Sequence, residues 1–255
     1  MGRQVWLLAR RSILGTLRSP GAILPTLAVP LLLFFVISSG LSAAEKIKGF
    51  PTDNFTTFAL TIAFANGALV TIANTGQATA TDIESGFMDR LSMTPMRGFA
   101  FLGAQLAGVF LLGIVQAGLF IAVGLAAGAR PETGVLGVVV LVVMFLLAVL
   151  AFGAAGMLIG LRTGSGEAVQ AIAPLMTVFL FLSSINMPRN LMEHEWFVWI
   201  ATANPLTYLV EGLRSLLISD WNAQAVILGF IVAAVIFAAA LTLSAMSLRT
   251  RLIRT

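Results

Sequence analysis

The chain has no cysteine, one histidine, one tyrosine and, as its only lysines, Lys46 and Lys48. Without cysteine there is neither a disulfide framework nor a thiolate metal site. His194 lies between Glu193 and Glu195, and a solvated charge cluster accounts for it better than a metal site does. Charge is also scarce. Charged residues make up 10% of the 255, hydrophobic ones 58%, and the mean hydropathy is +0.98. A soluble domain of this length needs far more charge to cover its surface. The net charge of +4 would suggest nucleic acid in a soluble protein. Here its distribution matters more, and no nucleic-acid partner is expected.

What the chain does have is length in its apolar runs. Six stretches of more than 20 residues carry no charge: Ser19–Ala44, Asn54–Thr81, Gly98–Ala129, Thr133–Leu161, Ala168–Pro188 and Trp221–Leu248. A hydrocarbon core of about 30 Å needs about 20 helical residues to cross. Membrane strands would be shorter and would alternate. In lipid the backbone must satisfy its own hydrogen bonds, so such runs become helices. The sequence predicts an all-α integral membrane protein, one domain over residues 1–255. Its six transmembrane helices are expected near 21–41, 56–79, 99–126, 135–160, 169–187 and 223–247. The run Trp196–Val210 is shorter and contains Pro205. It suits a segment that lies at the interface or dips in and returns.

Six crossings put both termini on one side. That side would hold Arg3, Arg10, Arg11, Arg18, Arg90, Arg97, Arg162, Arg249, Arg251 and Arg254. The other would hold only Lys46, Lys48, Arg130, Arg189 and Arg214. Short cytosolic loops carry the excess of Lys and Arg, so the N and C termini are expected in the cytosol. Residues 1–18 read as a cytosolic amphipathic helix, lying along anionic headgroups or docking on a partner.

Between the second and third runs lies Thr81–Pro95, with three acids and an arginine. Thr81 and Glu84 have the spacing of a capping box. Asp82 and Glu84 would then sit in a first turn and Arg90 near a last one, as the helix dipole favours. Pro95 discourages continuation. Ile83, Phe87 and Leu91 recur at i, i+4 and i+8 and form an apolar stripe. A short helix over 81–95 is predicted. Gly86, in its middle, costs about 1 kcal/mol relative to alanine and suggests close approach by a neighbour. Two placements suit this helix: flat in the headgroups, or plugged into a soluble partner.

The run Asp82-x-Glu84-x-Gly86-x-x-x-Arg90-Leu91-x-x-x-Pro95 resembles the cytosolic signature of ABC-2 type permeases. In that family an acidic-x-Gly-x-x-x-Arg-Leu segment follows the second membrane helix. Met187-Pro188, then Asn204-Pro205-Leu206-Thr207-Tyr208 with Glu211 and Arg214, resembles the family's second signature, which lies outside before the last helix. The resemblance covers nearly the whole chain and is nearest to the drug-exporting branch typified by daunorubicin-resistance permeases.

The resemblance implies a non-catalytic permease of the cell membrane, embedded in the lipid bilayer and holding no cofactor. ATP and Mg would belong to a cytosolic ATP-binding cassette subunit, two copies per complex. A second permease copy, identical or paralogous, would complete the transporter. Independently, no G-x-x-x-x-G-K-[ST] phosphate loop occurs among the 255 residues. The resemblance makes 81–95 a coupling helix, with Asp82, Glu84, Gly86, Phe87, Arg90 and Leu91 at the ATPase. It makes 188–220 an external segment of short re-entrant helices. Pro188, Asn204, Pro205, Tyr208, Glu211 and Arg214 would form an external gate. Glu211 and Arg214, at i and i+3, are spaced to pair. Trp196, Trp199 and Trp221 suit the interfacial belt.

The six expected spans contain no charge, which disfavours an ion-coupled carrier. In the second span Asn66, Asn74 and Gln77 fall within about 80° on a helical wheel. Thr61, Thr71 and Thr75 fall opposite, where a hydroxyl can bond its own backbone. Amides facing lipid are costly, so the amide side faces protein or water. Interhelical glue and the wall of a translocation path both fit, as they do for Gln105 and Gln116. Met176, Phe179 and Phe181 are candidate apolar path residues beyond Pro174. Gly124 with Gly128, and Gly156 with Gly160, have the GxxxG spacing of close helix packing. The expected cargo is amphipathic, drug-like or lipid-like, leaving the cytosol or inner leaflet. A glycan or lipid-linked saccharide is the alternative. A reading of another class is a membrane-embedded lipid-modifying enzyme using Asp82, Glu84 and Asp89.

Overall fold

The computed structural model describes residues 20–43, 50–88, 98–218 and 221–254. Among them the regular structure is helical: α1 (Pro20–Gly40), α2 (Phe55–Glu84), α3 (Gly98–Ala126), α4 (Gly134–Thr163), α5 (Gly166–Phe181), α6 (Glu195–Ala203), α7 (Pro205–Ser215) and α8 (Ala223–Arg254). A single 3-10 turn, Arg189–Leu191, lies between α5 and α6. Four helices, α2, α3, α4 and α8, are long and apolar enough to cross a membrane. α1 and α5 are apolar and offer shorter stretches. The helix expected over residues 1–18 lies outside the described residues.

Successive long helices run in opposite directions. Near one end of α1, Asn74 of α2 donates to Thr26 at 2.5 Å. Near its other end, Ser38 donates to Thr56 at 3.3 Å. α3 begins beside the end of α2, where Gln105 donates to Asp82, and finishes beside its start, where Asn54 donates to Gly128 O. The bundle therefore has two ends. The base gathers the end of α2, the start of α3, the α4–α5 corner and the end of α8. The crown gathers the start of α2, the α3–α4 turn, α6 and α7.

Helix α2 sits in the middle. It is the least apolar of the four long helices, with mean hydropathy 1.6 over its best stretch, yet 89% of that stretch is buried. Glycines in α4 set its seat. A Cβ on Gly156 would strike the Ile72 carbonyl, and one on Gly160 would lie 2.5 Å from Gly76 O. The Gly156/Gly160 pair thus brings two backbones into contact, as the spacing allows. The Gly124/Gly128 pair does not act this way. Gly124 faces Leu60, whereas Gly128 has φ +94 in the turn after α3 and nothing within 4 Å. An aromatic cluster fills the centre, with Phe64 edge-on to Phe120 at 5.6 Å and to Phe145 at 5.0 Å.

Three boundaries depart from expectation. In the last helix, α8 runs past residue 247 to Arg254. α2 does not stop near residue 79 but runs through Thr81 to Glu84. The fifth helix ends at Phe181 rather than near 187, in a turn where Ser183 and Ser184 are buried.

Candidate functional site

At the base, the predicted capping box does not form. Thr81 lies inside the last turn of α2, and its carbonyl accepts from Ser85 N at 3.0 Å. The turn is made by Gly86, whose φ of 64 is left-handed. Glycine is therefore needed there to stop a helix, in the usual C′ position, rather than for close approach mid-helix. The two acids each accept a hydrogen bond from a neighbouring helix. Asp82 accepts from Gln105 of α3 at 2.9 Å. Glu84 Oε1 accepts from the Gly166 N–H at the start of α5, also at 2.9 Å.

The apolar stripe is likewise used inside the chain. Ile83 and Phe87 are half-buried against a small core of Met88, Phe101, Leu102, Met157, Leu161 and Leu248. Phe87 thus has neighbours within the chain. Arg90, Leu91 and Pro95 lie outside the described residues. Arg251, which sequence reasoning took only as a cytosolic charge, donates to Leu161 O at 2.5 Å. It places a cation at the C-terminus of α4, where the dipole favours one.

Along α2 the amides face other helices. Asn74 bonds α1 through Thr26. Gln77 lies against Gly166, where a Cβ would overlap its amide nitrogen. Asn66 is buried, and its Oδ1, with Gln77 Oε1 and Gln116 Oε1, has no hydrogen-bond partner. Gln116 donates to Thr26 O and Gly67 O, both at 3.4 Å. Thr71 and Thr79 bond the backbone one turn back. Of the apolar candidates, Met176 packs partly on the core, whereas Phe179 and Phe181 are half-exposed beside Leu175 and Val178.

The crown brings together residues far apart in sequence. Asn204 caps α7, accepting from Leu206 N at 2.9 Å, and Pro205 follows at the position where its missing N–H costs nothing. The Asn204 amide also donates to Phe179 O at 2.7 Å, tying α7 to the end of α5. Pro188 opens the 3-10 turn that carries Arg189. Glu211 does not pair with Arg214 in a hydrogen-bonded salt bridge. Arg189 takes it instead, Nε to Oε1 at 2.8 Å and Nη2 to Oε2 at 2.7 Å. That hydrogen bond to Glu211 holds the Arg189 pKa above its ordinary value. The same guanidinium stands 5.4 Å from the centre of the Tyr208 ring, whose hydroxyl donates to Thr202 O at 2.9 Å.

Arg214 points the other way, into the bundle. It is 5% exposed and stacks 4.1 Å over the Phe58 ring of α2. Its Nη2 donates to Ser184 O at 2.6 Å and Ile185 O at 2.9 Å. Burial lowers its pKa to about 10, with Glu211 pulling the other way, so it stays charged at neutral pH. Arg214 therefore pins the turn after α5 to α2 and α7. Sequence reasoning did not single out Arg189 as the partner of Glu211; its place directly after Pro188 was the available signal.

The model of the ABC-2 type transporter family matches residues 3–218. The chain belongs to the ABC-2 type transporter family. Among its relatives, the chain is 26% identical over 212 residues to the daunorubicin resistance ABC transporter permease protein DrrB1 of Streptomyces coeruleorubidus, covering 81% of this chain and 72% of that protein. It is 24% identical over 227 residues to the "Putative transport permease ycf38" of Porphyra purpurea, covering 86% and 76%. The crown, including all of α7, and the base residues of α2 to α5 lie within the matched 3–218.

Proposed function

We propose that the chain is the permease subunit of an ATP-driven exporter, crossing the cell membrane six times with its base in the cytosol. The observation that carries this is the family match over residues 3–218 in a sequence with no phosphate loop of its own. ABC-2 permeases work with an ATP-binding subunit, and here that subunit docks at the base. The antiparallel run of α1 to α5 and α8 suits six crossings. Arg162, Arg249 and Arg251 at the base agree with the excess of arginine assigned to that side.

The docking contact centres on the segment from Gly86 onward, including Phe87, Arg90 and Leu91. Asp82 and Glu84 support it from behind. A second permease copy lies against the apolar face of α5 that exposes Leu175, Val178, Phe179 and Phe181. That face and the α2 amides border a path for an amphipathic, drug-like or lipid-like molecule. The relative named for daunorubicin resistance favours such cargo over a glycan. The crown, with Pro188, Asn204, Pro205, Tyr208, Glu211 and Arg214, re-enters the outer leaflet and closes the path from outside. The enzyme alternative loses support, because Asp82 and Glu84 are committed to different helices.

The test is gentle detergent purification of the tagged chain from its own host, then mass spectrometry of what accompanies it. A stoichiometric ATPase bearing a phosphate loop is expected. A chain stable alone, with no ATPase at any detergent strength, overturns the reading.

A further inference from the structure

Helix α1 contains two prolines, Pro25 and Pro30. A proline has no N–H, so the helix loses its bond to the carbonyl four residues back and bends there. For Pro30 that carbonyl is Thr26 O. In lipid such a group must find another donor, and Thr26 is only 1% exposed. The donor comes from a different helix. Gln116 of α3 is fully buried and gives its Nε2 to Thr26 O and to Gly67 O of α2, both at 3.4 Å. The amide has two hydrogens, one for each carbonyl. Gly67 leaves room for this approach. A Cβ there would lie 2.6 Å from Phe120, one turn beyond Gln116 on α3, and 3.7 Å from Gln116 Nε2. The Thr26 side chain is held as well, by the Asn74 amide of α2. One residue of α1 is therefore gripped by amides from two helices, at the carbonyl that Pro30 leaves open. Toward the crown α1 is held by other means: Phe34 is buried in the core, and Ser38 donates to Thr56.

We propose that α1 is hinged at Pro30 and that Gln116 is the latch that sets the hinge. Its amide replaces the backbone donor that Pro30 lacks, and so fixes the angle between the two halves of α1. Asn74 cannot do this, because it bonds the Thr26 hydroxyl and leaves Thr26 O untouched. Gln105, the other glutamine of α3, is committed to Asp82 at the base. Gln116 thus belongs to the bend in α1 rather than to the wall of a path. The inference goes beyond the permease reading and does not depend on it.

The chain lacks cysteine, so two spin labels can be placed without background. Leu24→Cys stands before the break and is 70% exposed. Gly40→Cys stands beyond it, with open space around its Cβ. Along a straight helix the two are about 24 Å apart. The distribution of label distances is measured in the full chain in lipid nanodiscs. The labelled parent should give one narrow distance. Gln116→Leu nearly keeps the volume but removes the donor, and should broaden the distribution. Pro30→Ala restores the N–H that Thr26 O lacks. Alone it should stay narrow, and added to Gln116→Leu it should bring the narrow distribution back. A packing defect at Gln116 would not be repaired by a substitution on α1, so the rescue separates a latch from a filler. A distribution in Gln116→Leu as narrow as the parent's overturns the proposal. So does one that is equally broad with and without Pro30→Ala, or a parent that is already broad. If Gln116→Leu yields no folded protein, adding Pro30→Ala must restore folding, and failure to do so overturns the proposal as well.

Discussion

Helices α2 and α8 are similar in length and opposite in logic. α8 has mean hydropathy 2.8 and only 22% of its apolar stretch is buried; α2 has 1.6 and 89%. In water the more apolar helix would lie inside. In lipid a hydrocarbon-facing surface costs nothing to leave exposed, so packing rather than hydropathy decides which helix is central. α2 takes that place with glycine, alanine, threonine and amides. These let backbones approach and give hydrogen bonds that lipid cannot.

Five substitutions test the contrast, from the largest effect down. Gly156→Leu drives a side chain into the Ile72 carbonyl and should abolish recovery of monodisperse protein by size exclusion in detergent. Recovery of normal material would mean that the α2–α4 seat is looser than described. Arg214→Ala leaves two carbonyls without their charged donor, in a site where such bonds are worth about 1.5–3 kcal/mol each. A large drop in thermal midpoint is expected, and one below two degrees would deny Arg214 its pinning role. A matched pair follows. Ala68→Leu on α2, 1% exposed, should destabilise by about 1–3 kcal/mol through overpacking. Ala234→Leu on α8, exposed, should change stability by less than about 0.5 kcal/mol. Equal effects in mixed-micelle unfolding would erase the difference between the helices. Asn74→Ala removes the bond to Thr26 and should cost about 0.6 kcal/mol, the scale of membrane interhelical hydrogen bonds. A cost several times larger would put Asn74 in a wider network than one partner.

The long helices were legible because a lipid-facing run must stay free of charge. Their ends were less so, for the same reason. A charge-free run measures how far the surroundings are apolar, whereas a helix continues until its caps. The run containing α2 closes at Thr81 because Asp82 comes next, but the helix goes on to Glu84. The S/T-x-x-E pattern at Thr81 was therefore the end of one helix read as the start of another. Gly86 was the better local signal, since only its backbone takes φ 64 without strain.

The crown failed differently. Local spacing paired Glu211 with Arg214, three residues away. Its partner is Arg189, 22 residues earlier, across a turn whose course only tertiary packing fixes. The residues of the second signature were found, but not who holds whom. The use of Asp82, Glu84 and Phe87 within the chain was hidden for a similar reason. A charged or apolar side chain does not declare whether its partner lies in the same chain.

The short fifth helix has a consequence for the bilayer itself. Its 16 residues rise about 24 Å, against a hydrocarbon thickness of about 30 Å. Were α5 one of the proposed crossings, it would create a hydrophobic mismatch of the kind a bilayer relieves by thinning. The pair of phenylalanines at its far end, Phe179 and Phe181, would then face the thinned leaflet. A lipid-like molecule sliding along α5 would have the least hydrocarbon left to cross at that point, and a thicker, sterol-rich membrane would resist this chain most.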